Sequence, residues 1–345
     1  MIIKKFIYFL LIAVFAITAC SKSSGTKPSP APTPQNTDTV VTIPVWPANA
    51  DVYFTGITNS RIASYWKNGV LTVLGSQASQ ANAIAVNNSD IYVAGYAIKN
   101  NQQAVLWKNG VSTALSPNSQ VLSEADAIVI NGGNIYVAGA IDAKAVYWKN
   151  GVAEPVDANQ LFGSVANAIA VSGNDVYLAG YNFNLTTGIE QACYWKNGVL
   201  NLLSPAPLPG TNTQATGIAV SSSNVYVTGY TNNGATLWKN GDVTSLSKPG
   251  TAVANGIFIS GPDIYVSGFS GAMVTYWKNG TAINLSPGKI SNLANASYIA
   301  LDGNDVYVAG GLSTSPVGSV YWRNGVPYLF SKDPVNVNSM TIVPH

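Results

Sequence analysis

Two acids, Glu124 and Asp126, stand two residues apart and belong to no repeated pattern in the chain. A glycoside hydrolase or a lyase needs such a pairing, with one carboxyl giving a proton while another group takes one. Asp142, Asp157 and Glu190 are further acids outside any repeat. Nucleophilic chemistry has less to draw on, because Cys20 and Cys193 are the only cysteines and the single histidine, His345, is the last residue. Calcium loops of alternating Asp, zinc-ligand spacings, phosphate-binding glycine loops and Gly-x-Ser-x-Gly are missing from the sequence. No cofactor and no metal are therefore expected, and no residue is assigned a catalytic role. Placement in a loop accounts for the Glu124 and Asp126 pair without chemistry.

The elements that would carry these groups are repeats. Trp-Lys-Asn-Gly recurs at Trp66, Trp107, Trp148, Trp195, Trp238 and Trp277, and once more after Trp322 with Arg323 in place of lysine. Upstream of each lies a second block, as in Tyr92-Val93-Ala94-Gly95 and Tyr307-Val308-Ala309-Gly310, and the period is about 42 residues. A period of this size marks a repeat architecture. One repeat shows four short strands: Asn167 to Val171, Val176 to Gly180, Ala192 to Lys196, and Val199 to Leu203 after Asn197-Gly198. Asn-Gly between β-prone runs signals a hairpin, because both central residues of a type I′ turn need positive φ.

Seven such units predict an all-β fold, a seven-bladed β-propeller with four antiparallel strands per blade, over residues 40–345. An open β-solenoid is the alternative, and closure decides between them. Met340 to Val343 reads as one more first strand with no second strand after it, while Val40 to Pro47 carries Pro44 and Pro47, which cannot serve a central ladder. The C-terminal strand is therefore expected to complete the first blade and close the ring, which removes an exposed edge. Ala, Ile and Val suit the crowded first strand. Tyr and Trp supply the bulk between blades; the other reading of the tryptophans is a sugar platform in each repeat.

Charged residues are only 9% of the chain, with 32 Gly, 18 Tyr and 8 Trp, as in β-rich proteins that rely on Asn, Ser and Thr for solubility. Lys4 and Lys5 precede an apolar run from Phe6 to Ala19, roughly 21 Å as a helix and short of a roughly 30 Å hydrocarbon core. Residues 1–19 thus read as a targeting segment rather than a membrane span. Without them 15 basic and 15 acidic residues remain, and six of the lysines are spent one per repeat. No basic stripe is left to displace counterions, so nucleic acid is not an expected partner. Ser21 to Asp38, rich in Ser, Thr and Pro, reads as an extended spacer within residues 20–39.

Ile17-Thr18-Ala19-Cys20 resembles the lipobox of bacterial lipoproteins. The resemblance implies cleavage before Cys20, lipid on Cys20 and anchoring in the bacterial cell envelope; Ser21, not Asp, points to the outer membrane. A plain secretory signal with a chance cysteine is the other reading. Cys193, in a slot where another repeat has Val146, reads as a buried small residue.

In an up-and-down blade the first-to-second and third-to-fourth turns share one face, and those turns are uniform. Length variation falls on the other face, most of all at Tyr181 to Glu190 and Ser204 to Ala215. Loops free to differ are where binding usually resides. Tyr96, Tyr181, Tyr230 and Phe269 follow the second-strand glycine in four repeats and, with Glu190, are the candidate ligand-binding residues. Stacking on a sugar or peptide is one use for these rings, and packing against a neighbouring loop is the other. Asp51, Asp90, Asp175, Asp263 and Asp305, alternating with Asn134 and Asn224 before the second strand, read as turn residues.

The layout Ala-x-Ala-Ile, Val-Tyr-Val-Ala-Gly, Tyr-Trp-Lys-Asn-Gly resembles the extracellular HAF-type repeats of bacterial proteins over about residues 50–343. That family usually carries His and a Gly-Gln-Val-Val-Gly block, which these repeats lack. The resemblance implies a secreted propeller and no particular reaction. The expected function is a lipid-anchored, non-catalytic binding or scaffold module for a glycan or protein partner. Its rival is a carbohydrate-active enzyme, a glycoside hydrolase or polysaccharide lyase, acting at the variable-loop face.

Overall fold

A computed structural model describes residues 44–116, 120–156, 162–203, 211–271, 273–285, 295–312, 318–331 and 337–345. The expected targeting segment, the spacer, Cys20 and Asp157 lie outside these residues, as does the start of the loop expected at Ser204 to Ala215. Among the described residues every regular element is a strand, and the strands form seven four-stranded antiparallel sheets. The first strand of each sheet touches the first strands of both neighbouring sheets, and these contacts close into a circle. The protein is a seven-bladed β-propeller.

Blades are numbered here by their second strands, starting at Ala50–Ile57. Blade 1 takes its inner strand, Val337–Pro344, from the far end of the chain, with Val52 opposite Ile342 and Ala50 opposite Pro344. The described residues before Ala50, 44–49 with Pro44 and Pro47, are not a strand. Closure is thus by the C-terminal strand, as the strand count implied.

Burial explains the residue types at each level. Second strands are covered on both faces, as in Tyr136 to Ala140 of blade 3, so Val, Ala and Tyr fill them without polar alternation. Outer strands such as Val111–Ala114 are exposed along their length and tolerate Ser and Thr. All seven Asn-Gly pairs take positive φ at both residues, from Asn68 at 47° and Gly69 at 78° to Asn324 at 51° and Gly325 at 83°. This is the type I′ hairpin geometry that the dipeptide favours.

The core is divided into seven apolar clusters, one at each seam between neighbouring blades. At each seam the third-strand tryptophan of one blade meets a residue at or just past the end of the outer strand of the blade before it. Trp148 meets Leu115, Trp238 meets Leu203, and Trp322 meets Leu285. The repeated tryptophans are buried core residues, none more than 3% exposed. Cys193 is fully buried at the seam of blades 3 and 4.

The seam that joins blade 7 to blade 1 differs from the others. Phe54 stacks on Phe330 at 4.2 Å between ring centroids, in positions held by Val93 and Leu115 elsewhere. Tyr321 stacks on Tyr328 at 5.1 Å and on Trp46 at 5.2 Å. The Tyr321 hydroxyl donates to the Val45 carbonyl at 3.0 Å, and the His345 N–H donates to the Asn49 carbonyl at 2.8 Å. The segment before the first strand therefore runs over the last seam, with Trp46 against Gly69 of the first hairpin.

Candidate ligand-binding site

On the uniform-turn face the Trp-Lys-Asn-Gly block closes on itself. In all seven blades the turn asparagine accepts, through Oδ1, the N–H of the residue after the recurring Asp or Asn, at 2.8 to 2.9 Å. Its Nδ2 donates to that Asp or Asn at 2.6 to 2.8 Å. The lysines of blades 1, 2, 4 and 6 reach the remaining carboxylate oxygen at 2.7 to 3.0 Å, and Arg323 pairs with Asp305 likewise. Every one of these cations also lies over a second-strand tyrosine ring, 5.1 to 5.6 Å from its centre. Lys108 and the Asn109 amide hold Asp90 below the ordinary carboxylate range. The recurring Asp and Asn residues are thus more than turn formers, since they fasten the first turn of each blade to its second. The repeated polar groups of this face are engaged with one another.

The opposite face is organised by a bulge near the start of each inner strand. Between Ala81 and Ala83, Ala125 and Ala127, Ala166 and Ala168, and at the matching place in the other four blades, the pairing with the second strand slips by one residue or two. The strand-two glycine makes this approach possible. A Cβ on Gly95, Gly139, Gly180, Gly229 or Gly268 would stand 1.9 to 2.0 Å from a carbonyl oxygen of the inner strand. Such a contact has no room for a side chain.

The bulged residues are Asn82, Asp126, Asn167, Thr216, Asn255, Ser297 and Asn338. Five of them hydrogen-bond to the inner strand of the next blade. Asn82 donates to Ala125 at 3.0 Å, Asn167 to Ala215 at 2.8 Å, and Thr216 to Ala254 at 2.5 Å. Asn255 donates to Ala296 at 2.8 Å and Asn338 to Ala81 at 2.9 Å. These bonds form a belt around the inside of the ring.

Beside this belt, blades 2 to 5 gather acids, amides and tyrosines. Glu124 and Asp126 lie in the inner strand of blade 3, Ser123–Asn131, and Glu190 begins the third strand of blade 4, so these acids stand on strands and not in loops. The Tyr96 hydroxyl donates to Gln80 Oε1 at 3.0 Å, Gln80 Nε2 donates to Asn82 Oδ1 at 2.8 Å, and Asn82 Nδ2 donates to Asp126 Oδ1 at 3.2 Å. Gln102 donates to Glu124 at 2.9 Å and Gln214 to Glu190 at 2.7 Å. Burial raises the carboxyl pKa of Glu124 and of Glu190 above the usual range, against the lowering effect of these amide bonds. Burial and then the charge of Glu124 raise Asp126 further. Tyr181 is raised by burial first, then by the charges of Glu190, Glu124 and Asp126, with Tyr230 also in its field. Tyr96 is raised by burial and by Glu124 and Asp126.

Of the sequence-derived candidates, Tyr96 and Tyr181 both lie in the field of Glu124 and Asp126, and Glu190 and Tyr230 join the group through Tyr181. Phe269 occupies the same strand position on blade 6, opposite Val253 and Val274. Gln80, Asn82, Gln102 and Gln214, which hold the acids in place, were not singled out by sequence reasoning. The signal that marks Asn82 is a polar residue recurring between two small residues in an otherwise apolar strand, as in Ala81-Asn82-Ala83 and Ala166-Asn167-Ala168. Cys193 and His345 play no part here: Cys193 is sealed in a seam, and His345 lies 3.3 Å from Asp51 beside the uniform turns.

The fold and site define a propeller with a polar, tyrosine-lined group on its variable-loop face. No family model matches the sequence, and no curated protein matches it. Among solved structures it resembles a puromycin hydrolase mutant complexed with PGG, with a TM-score of 0.55 at 10% identity over 82% of this chain and 52% of that one. Puromycin hydrolase itself aligns with a TM-score of 0.55 at 11% identity over the same shares. A Mycobacterium tuberculosis puromycin-hydrolyzing peptidase aligns with a TM-score of 0.54 at 11% identity, over 85% of this chain and 53% of that one. The chain spans about half the length of the structures it matches. At these identities the likeness is one of fold.

Proposed function

We propose that the protein is a lipid-anchored binding module of the bacterial envelope that holds a glycan, without catalysis, on its variable-loop face. The observation that supports this most is the group on blades 2 to 5, where Glu124 and Glu190 each accept from a glutamine amide beside Tyr96, Tyr181 and Tyr230. Carboxyls and amides exchange hydrogen bonds with sugar hydroxyls, and the half-buried rings of Tyr96 and Tyr230 offer faces to the apolar side of a sugar, with Tyr181 buried behind them. The hydrolase and peptidase names of the structural neighbours are not carried over, since this chain spans only 52 to 53% of their length at 10 to 11% identity.

Screening the detergent-purified full-length protein against a glycan array tests the reading. Tyr181→Ala and Glu190→Gln are each expected to weaken glycan retention about tenfold, near 1.4 kcal/mol, with the fold intact by circular dichroism. Retention of proteins in place of glycans would redirect the reading to a protein partner. Release of shortened saccharides, abolished by Glu124→Gln or Glu190→Gln, would replace it with the carbohydrate-active enzyme. The anchor has its own check: Cys20→Ala is expected to move the protein from the membrane fraction to the soluble one, and an unchanged distribution would remove the lipid from the reading. The outer membrane is proposed as its location on the strength of Ser21 after the cysteine.

A further inference from the structure

The acceptor of the belt is the same in every blade where the bond is seen: the inner-strand residue that faces the strand-two glycine. Ala81 faces Gly95, Ala125 faces Gly139, Ala215 faces Gly229, Ala254 faces Gly268 and Ala296 faces Gly310. By the same register the acceptor next to blade 3 is the carbonyl of Ala166, which faces Gly180. Amides and a hydroxyl bring a hydrogen to this place in five blades. Blade 3 brings a carboxyl, Asp126. Its Oδ1 accepts from Asn82, whereas its Oδ2 is closed to solvent and has no hydrogen-bond partner. An ionised carboxylate would leave that buried oxygen unsatisfied in the slot from which the other blades direct a donor at a carbonyl, a costly arrangement. A carboxylic acid resolves it, because one O–H supplies the missing donor.

We propose that Asp126 is a neutral carboxylic acid in the folded protein and that its Oδ2–H donates to the Ala166 carbonyl, joining blades 3 and 4 through a titratable proton. The titratable groups that face it are Glu124 from its own strand, Tyr96 from blade 2 and Tyr181 from blade 4. None of these is a cation, and Glu124 in its charged form opposes ionisation of Asp126. The Asp126 proton also ends the hydrogen-bond chain that starts at the Tyr96 hydroxyl and passes through Gln80 and Asn82. Its loss therefore disturbs the blade junction and the tyrosine together, whatever ligand the face takes.

The folded state holds this proton more tightly than the unfolded chain does. The stabilisation is full below the ordinary aspartate range and is lost as pH rises towards the folded-state value. Glu124 and Glu190 shift in the same direction, so the slope of the native protein alone does not isolate Asp126. Asp126→Asn does, since the amide carries a permanent N–H to the same acceptor.

The test is thermal unfolding of the full-length native protein and of Asp126→Asn from pH 4 to 9, with infrared difference spectra between them at pH 7. The expected result is a melting-temperature advantage for Asp126→Asn that widens with pH by about 2 °C or more. At pH 7 the native protein should also show a protonated-carboxyl band that the variant lacks. Parallel pH profiles, or no such band, would overturn the proposal. So would failure of Asp126→Asn to fold, because an amide is what other blades place there.

Discussion

Gly180→Ala is expected to destabilise the propeller by about 3 kcal/mol or more, towards the upper end of what overpacking a well-filled site costs. The added methyl would stand 1.9 Å from the Val165 carbonyl oxygen and 3.1 Å from Ala166 Cα. Both obstacles are backbone, so no side chain can swing aside. The second strand must pull away from the bulge, and the bulge holds the inner strand of blade 4 where Asn167 reaches Ala215. The measurement is a chemical denaturation midpoint compared with Gly188→Ala. Gly188 has φ of 69° but open space around its would-be Cβ. A loss at Gly180 no larger than the backbone strain cost seen at Gly188 would contradict the steric account.

Trp148→Ala should cost about 3 to 5 kcal/mol, as for other fully buried large aromatics. The ring is 0% exposed and fills the seam of blades 2 and 3 against Leu115, Val137 and Val146. Its Nε1–H donates to the Leu115 carbonyl at 2.9 Å, so truncation removes a partner from a buried acceptor as well as opening a cavity. Val111→Ala, at a 71% exposed residue on the outer strand of blade 2, should change stability by less than about 0.5 kcal/mol. Equal effects at the two positions would mean that the seams do not carry the stability of the ring.

The architecture was legible in the sequence because its constraints are local and repeated. Asn197-Gly198 needs two positive φ values, and only a tight hairpin supplies them in a row. The unpaired strand near Ile342 was visible as a first strand without a second, and Val52 is its partner. The site was less legible. Glu124, Asp126 and Glu190 looked like loop acids, yet they lie on strands that begin before the regular apolar alternation does. A bulge inserts a residue without changing the spacing of the repeat, so Asn82 and Asp126 gave no sign of facing a neighbouring blade. The recurring Asp before each second strand has the composition of a turn. Its attachment to the hairpin asparagine 16 to 22 residues away is a tertiary contact that propensity does not report.

Six seams built from nearly interchangeable parts pose a counting problem to a folding chain, because an inner strand could dock one wedge too early and leave a smaller circle. Repeat proteins are prone to such misassembly. The joint of blades 7 and 1 carries a label the others lack: Phe54 on Phe330, Tyr321 between Tyr328 and Trp46, and Met340 of the arriving strand in the same cluster. Wide flat rings at this joint do not fit the cavities that valine and leucine leave elsewhere. Shape at one place thus tells the polymer when its tally is complete.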